Sequence, residues 1–327
     1  MKKIVTIGGG TGQPIALAAL RGIENIDIKA IVSTLDDGGS TGRLRKQLGI
    51  LPPADAYRCA IALSPHQNEL RSFLRKRFSS PEMLKGHRVG NMLLAMLCQM
   101  TNDFKTALKA FEEVVEAKGH VIPSTTEETI LCAEYSDGSI LRGEDAIDDP
   151  EKINDTLKIS RLFTSTEAKV DSEATHALRE ANLILFGPGD LYTSILANVV
   201  IGDMAETIRN SNAKLLYISN LMTKRGQTHG MGTKELVSEL EKYIGRSIDV
   251  VIINNKEIPV SIVQKYQASR EDIIKNNIDI NKYKILKDDI IKEDEDKKEA
   301  HDVLFRSCLR HDSFKLKNII KKVIDIC

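Results

Sequence analysis

A short apolar run that breaks straight into glycines constrains this chain more than any other feature. Lys3–Ile7 reads as a buried strand. Gly8-Gly9-Gly10-Thr11-Gly12 follows at once, and apolar residues at helical spacing continue from Ile15 to Leu20. Strand, glycine turn and helix in that order predict a βαβ start. Similar runs recur at Ile28–Ser33, Leu183–Phe186, Lys214–Ser219 and Asp249–Ile253, with helical patterns such as Ser194–Asn210 and Thr233–Tyr243 between them. Strands that are apolar on both faces belong in a parallel sheet covered on both sides. The pattern predicts an α/β fold of three layers, α/β/α, with a mainly parallel sheet.

The middle of the chain departs from this alternation. Helices are predicted over Asp55–Leu63, His66–Phe78, Val89–Thr101 and Phe104–Ala117, a helical insert at about 55–118. Ile130–Tyr135 and Ser139–Gly143 flank Ser136-Asp137-Gly138, and Asp-Gly is a strong hairpin signal. Beyond Asn254 the chain turns polar. Lys287–Glu299 reads as a solvated linker or exposed helix, and Ser313–Ile326 as a terminal amphipathic helix. We expect one α/β domain over 1–255 and a charged C-terminal extension over 256–327, whose packing on that domain stays open.

Composition removes several classes. The 327 residues carry 46 Lys and Arg against 46 Asp and Glu, so bulk attraction to nucleic acid is not expected. No apolar stretch approaches the roughly 20 residues of a membrane span, so no membrane insertion is expected. Lys2 and Lys3 precede only Ile4–Ile7 before the glycines, too little for a signal-peptide core. Cys59, Cys98, Cys132, Cys308 and Cys327 show no CxxC spacing. That favours free thiols, with Cys59, Cys98 and Cys132 in the core, and a cytoplasmic location.

Three segments put glycines between a strand and a helix. Gly8–Gly12 opens the first helix, where unpaired N–H groups and the dipole suit an anion. It is not G-x-G-x-x-G, since Gln13 and Pro14 follow Gly12, and it lacks a Walker lysine. The plain alternative is a turn with structural duty alone. Asp36-Asp37-Gly38-Gly39-Ser40-Thr41-Gly42-Arg43 follows the second strand. One acid can hold a ribose or a hydrated Mg²⁺, and the glycines can form a second anion nest. The alternative is a helix cap. Phe186-Gly187-Pro188-Gly189-Asp190-Leu191-Tyr192-Thr193-Ser194 is the third segment.

Polar positions beside these turns complete the candidate set. Ser219-Asn220-Leu221-Met222-Thr223 follows the next strand, and Asn220 offers both a donor and an acceptor. Asn91 stands at the head of an apolar helix as cap or ligand contact. Asp55, after Pro52-Pro53-Ala54, has the same two readings. No nucleophile–base spacing appears, and no catalytic residue is assigned.

Taken in order, these motifs resemble the CofD-like family, which includes the YvcK-type gluconeogenesis factor and 2-phospho-L-lactate transferase. The resemblance runs from Lys3 to about Ile253. It rests on Gly8–Gly12, Asp36-Asp37-Gly38-Gly39-Ser40-Thr41-Gly42-Arg43-Leu44-Arg45, Gly90-Asn91, Gly187–Ser194 and Asn220–Thr223. The acidic loop is closest to the YvcK branch. The resemblance implies a Rossmann-like fold that binds a nucleotide-sugar of the UDP-N-acetylglucosamine type. It also implies roles in cell shape and in growth on gluconeogenic carbon sources. The transferase branch instead implies a GDP-linked substrate, with Mg²⁺ on Asp36 and Asp37.

The ligand-binding candidates are therefore Gly9, Gly10, Thr11, Gly12, Asp36, Asp37, Gly38, Gly39, Ser40, Arg43, Asp55, Asn91, Gly187, Gly189, Tyr192, Asn220 and Met222. No cofactor beyond Mg²⁺ is a candidate, and a homo-oligomer stays open. The chain departs from the family at Ala54, where a glycine is usual, and at Asp190, where a serine is usual. It departs again at Lys224-Arg225-Gly226-Gln227-Thr228, where Gln-Pro-Gly-Glu-Thr is usual. A carboxylate at 190 disfavours a nearby phosphate unless it meets a cation or a sugar hydroxyl. A non-catalytic binder is the first reading and a Mg²⁺-dependent transferase the second. The broken glycine fingerprint counts against an NAD-dependent oxidoreductase.

Overall fold

Successive residues of a strand point to opposite faces, so an apolar run must be covered twice. In the strand Leu183–Phe186, Leu183 and Leu185 join one apolar cluster while Ile184 and Phe186 join the other. Each fully buried side chain of this size stabilises the fold by about 1.5–3 kcal/mol. The computed structural model describes residues 1–66, 69–81, 84–148, 157–292 and 309–326.

The elements begin with β1 (Lys2–Gly8), α1 (Gln13–Arg21), β2 (Ile26–Val32) and α2 (Gly39–Leu48). The insert supplies α3 (Ala54–Leu63), α4 (Glu69–Arg75), α5 (Val89–Thr101) and α6 (Phe104–Val114). Then come β3 (His120–Pro123), β4 (Leu131–Tyr135), β5 (Ile140–Arg142), α7 (Glu144–Asp148), β6 (Ile159–Thr164), α8 (Ser172–Glu180) and β7 (Leu183–Phe186). A π-helical turn at Leu191–Leu196 leads into α9 (Ala197–Val199), α10 (Met204–Asn210) and β8 (Lys214–Ile218). The described chain closes with α11 (Thr233–Ile244), β9 (Val250–Asn254), α12 (Val260–Ala268), β10 (Lys284–Asp288) and α13 (Ser313–Ile324).

Seven strands form one sheet in the order β10-β9-β8-β7-β1-β2-β3, and every pairing in it is parallel. This is the expected Rossmann-like three-layer fold. The order reverses between β1 and β7, because β2 and β3 lie to one side and β7 to β10 to the other. Open α/β sheets bind ligands beyond the carboxyl ends of the strands at such a reversal. The expected hairpin forms from β4 and β5, and β6 extends it to a separate three-stranded antiparallel sheet.

Several elements differ from the sequence reading. Ser194–Asn210 is not one helix. The Asn198 amide donates to Ser194 O at 2.7 Å and to Gly8 O at 2.9 Å, drawing the first turn onto the β1 loop. Gly202, at φ 44°, then breaks the run. The helix expected over His66–Phe78 spans Glu69–Arg75, with residues 67 and 68 outside the described set. In Lys287–Glu299, Lys287 and Asp288 belong to β10, and Ile290 and Ile291 are buried. Residues 293–299 of that run lie outside the described set. Beyond residue 255, β10 pairs in register with β9, and α13 packs on α1 through Leu316, Ile319, Ile320 and Val323. Cys59, Cys98 and Cys132 are free and buried.

Candidate functional site

The β1 turn and the loop after β7 meet at the sheet reversal. A Cβ at Gly12 would lie 2.2 Å from Pro188 O, so no other residue lets the two loops approach this closely. Gly189 abuts Ser194, and Gly10 takes the left-handed conformation at φ 63°. Beneath the turn, Gln13 is fully buried. Its amide donates to Thr6 Oγ1 and Ile31 O, which ties β1 to β2. Neither α1 nor α2 has a side-chain cap at its N-terminus, with Gly12 and Gly38 at the cap positions. The first turn of α2, Gly39–Thr41, keeps its N–H groups for a ligand, whereas at α1 Pro14 has none and Ile15 N already bonds Gly12 O, which leaves chiefly Gln13 N.

Asp55 binds the β1 turn from the helical insert, and Asp36 binds within its own loop. Asp55 Oδ2 accepts from Gly10 N at 2.8 Å, and Asp55 Oδ1 accepts from Arg58 Nη1 at 3.1 Å. Asp55 therefore serves the glycine turn, not the N-terminus of its own helix. Asp36 Oδ1 accepts from Gly38 N at 3.0 Å. Burial, then the neighbouring Asp55 charge, pushes the Asp36 carboxyl up to about 7. Asp37 Oδ1 accepts from Asp145 N at 2.9 Å, which docks α7 on the acidic loop. That contact brings in Glu144. Burial and the charges of Asp36, Asp148, Asp55 and Asp37 hold its carboxyl well above the usual range. Burial opposes the Arg58 charge, but Tyr57, Asp55 and Asp36 raise its pKa overall.

Ser40 and Asn91 also come together. Ser40 Oγ lies 2.8 Å from His87 Nδ1, and the Asn91 amide donates to Ser40 Oγ at 3.2 Å. Asn91 Oδ1 is buried without a hydrogen-bond partner. Arg43 is exposed and donates to Lys85 O at 3.0 Å. Burial, with Arg43 and Arg77 nearby, lowers the His87 pKa. Thr11 and Gly39 are exposed at the tips of their turns.

On the other side of the reversal, Asn220 follows β8, and its Oδ1 is buried and unpartnered. Lys224 Nζ pairs with Asp148 Oδ2 at 3.1 Å, and Gln227 Nε2 donates to Asp148 Oδ1 at 2.9 Å. Burial raises the Asp190 pKa, while the Lys224 charge opposes that rise. The Asp190 carboxylate thus feels the Lys224 charge, while the Lys224 ammonium itself pairs with Asp148.

Tyr192 and Met222 do not join this edge. Tyr192 is fully buried, with its phenol interacting with Glu239. Met222 is buried in the opposite apolar layer. Glu144, Asp148 and Lys224 were missing from the sequence set. No spacing signal links them to the glycine turns, because tertiary packing delivers them. Arg58 was legible in principle, three residues after Asp55 on one helix.

The family model described as 2-phospho-L-lactate transferase CofD matches residues 4–294. The chain belongs to the CofD family. Within it, the chain is similar to a putative gluconeogenesis factor of Thermotoga maritima, at 33% identity over 98% of this chain and 99% of the relative. It is 37% identical to the gluconeogenesis factor of Bacillus subtilis over 81% of this chain and 82% of that one. A crystal structure of a Bacillus halodurans protein superposes with a TM-score of 0.86 at 31% identity, covering 98% of both chains. CofD membership thus extends past the last sequence motif, Asn220–Thr223.

CofD transferases are generally metal-dependent. Asp36 and Asp37 are hard oxygen donors beside candidate phosphate-binding turns, which suits Mg²⁺ with phosphates and water completing its shell. Among the described residues, no three His, Cys, Asp or Glu side chains converge on a metal position. Among the same residues, no helix is long and apolar enough to cross a membrane.

Proposed function

We propose that this CofD-family chain is a gluconeogenesis factor and cell-shape regulator that binds a nucleotide-sugar of the UDP-N-acetylglucosamine type. The observation that supports the reading is a pair of helix N-termini without a side-chain cap, α1 and α2, which follow the adjacent parallel strands β1 and β2 beside the sheet reversal. Their backbone amides suit a diphosphate without added lysines. The acids around them, Asp36, Glu144, Asp148 and Asp190, suit hydroxyl groups of a ribose or sugar. Arg58 and Lys224 are both engaged with carboxylates. The protein acts in this reading as a cytoplasmic ligand-binding regulator.

A Mg²⁺-dependent transferase acting on a GDP-linked substrate is the second reading, favoured by the family model and the adjacent acids. Asp36 and Asp37 would hold the ion, which neutralises phosphate charge when bound. Thermal shift separates the two. A ligand at 100 times its dissociation constant stabilises by about 2.7 kcal/mol. A shift with UDP-N-acetylglucosamine is expected. No shift with it, together with a Mg²⁺-dependent shift with GDP, would transfer the protein to the second reading.

A further inference from the structure

The charge balance of the whole chain hides a local excess. Residues 38–101 hold ten Lys and Arg against three Asp and Glu, although the chain as a whole is neutral. Arg43, Lys46, Lys76 and Lys85 are exposed on α2 and the α4–α5 connection. Between those elements lies α5, thirteen residues without a single charge.

The buried face of α5 carries Asn91, Leu94, Ala95 and Cys98. Its outer face carries Met92, Met96 and Met100 at i, i+4 and i+8, one above the next. Met96 is 57% exposed and Met100 80%. On the helices packed against α5, Leu48 ends α2 at 36% exposure and Phe73 stands on α4 at 55%. Gln99 Nε2 donates to Leu48 O at 2.9 Å, which fastens the end of α2 beside the methionines. Scattered exposed apolar residues are ordinary, but an aligned stripe bordered mainly by basic side chains, with Glu69 and Asp103 the exposed acids nearby, marks an interaction surface.

We propose that this face docks an acidic amphipathic helix from a partner protein. The stripe runs along a single helix, as helix-on-helix docking requires. Methionine side chains adapt to a partner's apolar face. The basic border selects acids flanking that face and steers the encounter. A second copy of this chain fits poorly, because a two-fold contact would set the basic border against itself. A membrane surface fits less well than a helix. Interfacial insertion leans on Trp, Phe and Leu, whereas the chain has no Trp and the stripe is methionine.

The test uses the full chain labelled with ¹³C at its methionine methyls. The probe is a synthetic peptide of about 15 residues with Leu at helical spacing and Glu elsewhere. The expected result is movement of the Met92, Met96 and Met100 signals while Met204 stays still, with affinity falling as salt rises. Met96→Glu with Met100→Glu should weaken binding at least about tenfold at an unchanged melting temperature, since both sites are exposed. Lys46→Glu with Lys76→Glu leaves the stripe intact and should weaken binding too. Equal binding of the same peptide with Lys in place of Glu would overturn the proposal. So would self-association through the stripe, or movement of these methyls only with phosphatidylglycerol vesicles.

Discussion

Asp55 Oδ2 accepts a hydrogen bond from the backbone N–H of Gly10 at 2.8 Å, across 45 residues of sequence. The same carboxylate holds Arg58 through its other oxygen. Asp55→Ala removes both contacts and leaves Asp36 as the remaining carboxylate whose charge acts on Arg58. We expect a stability loss of about 1–3 kcal/mol and loss of the UDP-N-acetylglucosamine shift. Asp55→Asn, which keeps an acceptor for Gly10 N, should recover most of the stability. Denaturant melts of both variants, with and without ligand, measure this. An Ala variant that binds as tightly as the parent would remove Asp55 from the site.

Gly12 separates close approach from mere flexibility. Its Cβ would meet Pro188 O at 2.2 Å, whereas a Cβ at Gly39 meets nothing within 4 Å. Gly12→Ala must push the β1 and β7 loops apart, so ligand binding should be lost along with stability. Gly39→Ala should cost only about 1 kcal/mol, for its φ of 46°. Parallel melting and titration of the two variants checks the contrast.

Asp36 sets a pH dependence of stability. Its folded pKa is raised to about 7 from an ordinary 3.8, so the folded state holds a proton that the unfolded state releases. Stability therefore falls as pH rises from about 4 to 7 on this account. Asp36→Asn keeps an oxygen for Gly38 N and removes the charge. It should raise the melting temperature at pH 8 more than at pH 4. The opposite order would mean that Arg58 dominates the Asp36 environment.

His311 carries the reverse dependence. Its ring is buried, and Nε2 lies 3.1 Å from Ser219 O, just before Asn220. Burial lowers its pKa to about 4. The unfolded chain takes up a proton near pH 6.5 and the folded chain only near 4, so stability is lost as pH falls between them. His311→Gln should flatten that acid limb, measured by melting temperature between pH 7 and 4.

Lys224 and Asp148 should be coupled. Each single alanine variant should cost more than the residual cost of the second change in the double variant. A coupling of about 0.5–3 kcal/mol is expected from a double-mutant cycle. Additive effects would show that the pair does not fasten α7 to the β8 loop.

The sequence by itself determined the parallel α/β sheet and the glycine turns, because those signals are local. A strand apolar on both faces can sit only in a covered sheet, and Gly10 at positive φ follows from its own turn. Gly8–Gly12, Asp36–Ser40 and Gly187–Gly189 accordingly lie at strand carboxyl ends. The meeting of those loops at Gly12 and Pro188, the Asp55–Gly10 bond and the acids of α7 were decided by tertiary structure alone. The same holds for Tyr192, which shares a motif with Gly189 but is buried in the core within the π-helical turn Leu191–Leu196. Such placements depend on side chains that are distant in sequence being packed into contact, and no local periodicity encodes which distant group will arrive.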